Sequence, residues 1–83
     1  MTSKQVEKEI AILEAMKERL EERRYALEEK IETIDARVDA RESGEMTDSE
    51  EERVDAYNEE IENIEQAIDE LENLMDTING LEV

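Results

Sequence analysis

Cysteine, histidine, proline, phenylalanine and tryptophan are all missing from this chain, and glycine occurs only twice. Without cysteine there is no disulfide or thiolate–metal staple, and nothing points to an oxidising compartment. Without histidine the commonest general base and metal ligand is gone. Two tyrosines are the whole aromatic content. No run approaches the roughly 18 apolar residues that a membrane span requires. Met1-Thr2-Ser3-Lys4-Gln5 leads into no apolar core of a signal peptide. The expected location is therefore cytoplasmic, with no membrane partner.

Positive charge is the other shortage, and its distribution matters more than its amount. Residues 1–41 hold nine basic and eleven acidic residues, whereas residues 42–83 hold one basic and sixteen acidic, within a total net charge of −17. After Arg53 there is no lysine or arginine at all. Such a surface repels DNA, RNA and anionic lipid, so direct nucleic-acid binding is not expected. It attracts basic partners from a distance, more so at low salt. Low hydropathy with high net charge is also the mark of disorder, but here the apolar residues keep strict register.

That register is clearest in the second half. Val54, Tyr57, Ile61, Ile64, Ile68, Leu71, Met75 and Ile78 follow one another in alternating steps of three and four. The spacing predicts a long helix with one seam to bury. In the first half the seam runs Val6, Ile10, Leu13, Lys17, Leu20, Arg24, Leu27, Ile31, Ile34, Val38, with only Lys17 and Arg24 not apolar. Thr2 with Gln5, and Thr47 with Glu50, have the spacing of capping boxes. Asp48, Glu50, Glu51 and Glu52 suit the positive end of a helix dipole. Gly44 and Gly80 fit helix stops, and Leu81 could fold back on Met75 past the second.

The chain is thus expected to be one all-α domain over residues 1–83, an antiparallel, coiled-coil-like two-helix hairpin. Helix 1 is predicted at about 3–43, the turn at 44–47 and helix 2 at about 48–79. One register satisfies the seam: Val38 opposite Val54, Ile34 opposite Tyr57, Ile31 opposite Ile61, Leu27 opposite Ile64, Leu20 opposite Leu71 and Leu13 opposite Ile78. The rod would be roughly 55 Å long at 1.5 Å per residue. A single seam is a thin core. Ile12, Met16 and Leu74 lie beside it at the open end, and with Leu13, Met75, Ile78, Leu81 and Val83 they widen the apolar face there. A homodimer forming a four-helix bundle would cover this face, with Ile12, Met16, Leu74, Met75, Ile78 and Leu81 at the interface.

The strongest functional candidate is the acidic second helix. Asp55, Glu62, Asp69 and Asp76 recur every seven residues, with Glu59, Glu65 and Glu72 alongside. A rigid rod of regularly spaced carboxylates could occupy a basic surface, including a groove built for nucleic-acid phosphate. The plain alternative is a solvated face that serves solubility alone, the usual meaning of a charge run. Arg19, Arg23, Arg24 and Tyr25 form a second candidate, an anion patch for a small nucleotide, since arginine forks suit phosphate and tyrosine can stack on a base. Glu18, Glu21, Glu22 and Glu28 are interleaved with them, which favours structural pairing. Lys17 and Arg24 in the seam could select register, with Asp69 within reach of Arg24.

No metal or cofactor is expected. Di-iron bundles pair glutamate with histidine three residues on, and Asp35 with Asp39 lacks the glycine and ligand ladder of a calcium loop. Nor is an enzyme expected, because a catalytic carboxylate pair needs a pocket that desolvates one member. The expectation is a non-enzymatic inhibitor or adaptor acting through its acidic helix. In its acidity and size it resembles the small phage and plasmid proteins that imitate nucleic acid. The alternatives are a structural coiled-coil subunit assembling through its open end and, more remotely, a nucleotide-binding oligomer.

Overall fold

A computed structural model describes residues 1–82 of the chain as two packed helices, with no strand among the described residues. Helix α1 spans Ser3–Asp39 and helix α2 spans Asp48–Asn79. Both begin on a complete capping box. Thr2 accepts from the Gln5 amide while the Gln5 side chain accepts from the Thr2 amide, and Thr47 and Glu50 repeat the exchange. Each box satisfies two amides that the first helical turn would otherwise leave unpaired. Val83 lies outside the described residues.

The seam holds the rod together. Leu27 is fully buried at its centre and clusters with Ile64 and Ile68, with Leu20, Tyr57 and Ile61 packed against them. Val6, Leu13, Ile34 and Val38 carry the burial toward both ends of α1. The two exceptions in the seam, Lys17 and Arg24, are half-buried. The molecule is 64 Å long and 14 × 13 Å across.

Helix α1 stops four residues before the predicted end at residue 43, and the cause lies across the turn. The chain leaves the helix through Ala40, whose amide donates to the Ala36 carbonyl at 3.2 Å, and the Arg41 amide donates to the Val38 carbonyl at 3.0 Å. Arg41 then swings out to put its guanidinium fork on both oxygens of Glu50, and it also donates to the Glu45 carbonyl at 3.2 Å. Gly44 has the left-handed conformation its residue type allows, at φ 63°, but it sits in the loop and not at the helix end. Gly80 keeps a right-handed conformation, φ −69°, so α2 ends without the left-handed glycine stop. Leu81 remains 50% exposed. At this open end the Met1 amino group donates to the Leu81 carbonyl at 2.9 Å and the Ser3 hydroxyl to the Glu82 carboxylate.

Among the described residues Glu50 is the one buried charged residue. It caps α2 through the Thr47 amide at 2.9 Å and at the same time receives the Arg41 fork. The arginine, and after it the Thr47 amide, hold its carboxyl at about 2 instead of the ordinary 4.5. A carboxyl lowered in the folded state stabilises the fold above its unfolded value, and this contribution disappears as pH falls through the folded one.

Two outcomes follow for stability. Leu27→Ala should destabilise the hairpin by about 3 kcal/mol in urea unfolding, since it removes a fully buried leucine and leaves a cavity. Leu20→Ala, at a half-buried position, should cost distinctly less. The melting-temperature gap between wild type and Glu50→Gln should be constant above roughly pH 5 and close as pH approaches about 2. A gap that persists unchanged at pH 2 would refute this account of the turn.

Candidate functional site

Ion pairs mark the two sides of the seam. Lys17 reaches Glu72 at 2.9 Å and Glu21 at 3.9 Å, so these two acids flank one side. Arg23 reaches Glu60 at 3.3 Å, which marks the other. Seven-residue steps stay on one side of a coiled-coil seam, so the remaining positions can be assigned from these contacts.

On the Lys17 side, α1 contributes Glu7, Glu14, Glu28 and Asp35, in line with Glu21. Helix α2 contributes Glu65, in line with Glu72, and the adjacent row Asp55, Glu62, Asp69, Asp76. Asp55, Glu59, Glu62, Glu65, Asp69, Glu72 and Asp76 are all exposed. Among the described residues, Glu72 alone of these seven lies within 4.0 Å of a lysine or arginine nitrogen. Its partner Lys17 is pushed up in pKa, chiefly by the hydrogen bond to Glu72. The acid row read from α2 is therefore half of a larger surface. Its other half, the α1 row from Glu7 to Asp35, is masked in the linear sequence by arginines and lysines that the fold sends elsewhere. The 3–4 spacing of α1 contains that signal, because each member of the row directly follows or precedes a seam residue by a fixed step.

On the Arg23 side the character reverses. Met16, Lys30 and Arg37 stand in line with Arg23, and Arg53, Ala67, Leu74 and Leu81 stand in line with Glu60. Ile12 and Arg19 lie one turn from Met16 and Arg23 on the same flank. Ile12, Met16, Leu74 and Leu81 are 45–50% exposed, and Met75 and Ile78 are half-buried at the seam. Lys30 lies over the Tyr57 ring, 5.6 Å from its centre. The molecule thus has an acidic side and a side that is apolar at the open end and basic toward the turn.

This sorting separates the four residues of the anion patch. Arg19 and Arg23 stand on the basic side and Arg24 in the seam. Tyr25 is on the acidic side, in a depression lined by Glu18, Glu21 and Glu22. Glu29, through a hydrogen bond and its charge, raises the pKa of the Tyr25 hydroxyl. Arginine forks and a stacking ring do not converge here. Asp69 is not within 4.0 Å of Arg24; the ion pairs across the seam are those of Lys17, Arg23 and Arg41. Among the described residues no three acids converge as a metal-binding group, Asp35 and Asp39 included. Among the described residues no helix is long and apolar enough to cross a membrane. The chain matches no protein-family model, no curated protein and no solved structure.

Like charges along one side destabilise the fold over distances comparable to the Debye length, about 10 Å at 0.1 M salt. Changing Asp55, Glu62, Asp69 and Asp76 together to Asn or Gln should raise the melting temperature by a few degrees in low salt. The gain should vanish in molar salt. An unchanged or lowered melting temperature in low salt would mean that the row makes stabilising contacts.

Proposed function

We propose that the protein is a non-enzymatic binding module, an inhibitor or adaptor whose acidic side docks on a basic surface of another protein. What carries this reading is the row Asp55, Glu62, Asp69, Asp76, exposed and without a cationic partner within 4.0 Å among the described residues. A soluble helix ordinarily mixes charges of both signs. A like-charged row raises the energy of the free protein, and a basic partner relieves that strain on binding. The row alone offers one carboxylate per 10.5 Å or so of helix, sparser than the phosphate every 3.4 Å or so of a DNA strand. Glu59 and Glu65, with the parallel acids of α1, bring the density closer to that of nucleic acid. A groove built for phosphate is accordingly the best-fitting surface.

The exposed Ile12, Met16, Leu74 and Leu81 favour a second reading, compatible with the first. The hairpin assembles as a homodimer, a four-helix bundle that covers the apolar open end. As a structural subunit it would need only this contact.

Affinity purification at two salt concentrations separates the readings. A partner captured through the acidic side should be lost as salt rises, be displaced by heparin or DNA, and fail to bind the Asp55, Glu62, Asp69, Asp76 quadruple neutral variant. A partner retained by that variant and indifferent to salt would overturn the acidic-docking reading.

A further inference from the structure

The homodimer reading places the apolar open end in the contact but leaves open how the rest of the two rods meet, and the two-sided charge distribution answers it. A second copy carries the same net charge of −17, and its approach is opposed wherever carboxylates meet carboxylates. On the Arg23 side the acids are few: Glu9, Glu60 and Glu70, of which Glu60 is already paired with Arg23. This is the side where cations gather and where the four exposed apolar residues of the open end lie. On the Lys17 side the one large exposed apolar side chain among the described residues is Tyr25, which lies toward mid-rod among Glu18, Glu21 and Glu22 and not at the open end.

Resting on the dimer reading, we infer that two copies join through their Arg23 sides, related by a two-fold axis along the rod, so that both acidic sides face outward. An isologous contact of this kind must be self-complementary, and the register provides for it. Leu27 clusters with Ile64, which fixes the height of every α2 residue against α1. A two-fold along the rod lays α1 of one copy against α2 of the other at equal height. Ile12 and Met16 then meet Leu74 and Leu81 of the second copy, twice over. Arg19 falls opposite Glu70 of the second copy, again twice. Within one chain neither Arg19 nor Glu70 has an ion partner within 4.0 Å among the described residues. All four helices would have antiparallel neighbours, the arrangement of four-helix bundles with short loops. The product is a bivalent rod that offers one acidic side to each of two partners.

The test uses the full chain, which has no native cysteine, so introduced thiols report without background. Sedimentation should show a concentration-dependent dimer that strengthens with salt. The Ile12→Ser, Met16→Ser, Leu74→Ser triple variant should lose the dimer while keeping the helical circular dichroism of the wild type. An equimolar mixture of Arg19→Cys and Glu70→Cys chains should oxidise to a covalent dimer in several-fold higher yield than either chain alone. A mixture of Glu14→Cys and Asp76→Cys, at matching height on the acidic side, should not. If a dimer sediments but only the acidic-side mixture cross-links, the dimer reading stands and the assignment of its surface falls. A chain that stays monomeric at millimolar concentration in high salt overturns both.

Discussion

A two-helix rod has one seam, and that limit governs the rest of the molecule. Only the residues that face the partner helix are withdrawn from water, so each helix must be written as a narrow apolar stripe on a polar cylinder. The stripe here closes around Leu27, Ile64 and Ile68. Its burial is incomplete even at several seam positions, including Leu20, Ile31 and Ile61. Hydrophobic burial is the dominant favourable term in folding, and here there is little of it to spare. Local devices therefore weigh more than they would in a larger domain: two complete capping boxes, the clasp of Met1 and Ser3 on the opposite terminus, and the part-buried Arg41–Glu50 pair at the turn.

Much of this was legible in the sequence, for a physical reason. A helix seam and a capping box are local patterns, spaced three or four residues apart, so the chain states them directly. The capped start of α2 at Thr47 follows from Thr47 and Glu50 alone. The end of α1 was not legible in the same way. Val38 continues the seam and Arg41, Glu42 and Ser43 are acceptable in a helix, so the pattern runs on toward Gly44. What ends the helix at Asp39 is Arg41 bonding a carboxylate nine residues away, already in use as a cap. That is a tertiary contact, and periodicity does not contain it.

The candidate site divides along the same line. The acidic row of α2 could be read from the absence of lysine and arginine after Arg53. The matching row on α1 is obscured by Arg19, Arg23, Lys30 and Arg37 among its acids in the linear order, although each of Glu7, Glu14, Glu21, Glu28 and Asp35 directly follows a seam residue. Only when Lys17 is seen on Glu72 and Arg23 on Glu60 do the two sides separate. The same separation dissolves the cluster of Arg19, Arg23, Arg24 and Tyr25, which adjacency in sequence suggested and a helical turn of 3.6 residues distributes around the axis.

Net charge and local charge then make different statements about association. At physiological ionic strength the Debye length is about 8 Å, shorter than the 14 × 13 Å cross-section that separates the two sides of the rod. A partner touching one side senses the charges of that side and little of those across the seam. The total of −17 therefore does not decide what binds where; the sorting of charge by side does. Carboxylates concentrated opposite the apolar open end leave a cationic partner one face to approach and a second copy the other. Screening acts on the two contacts in opposite directions, weakening attraction to a basic surface and weakening repulsion between copies. On the proposed reading, rising ionic strength would move such a hairpin from capture by a basic partner toward pairing with a second copy.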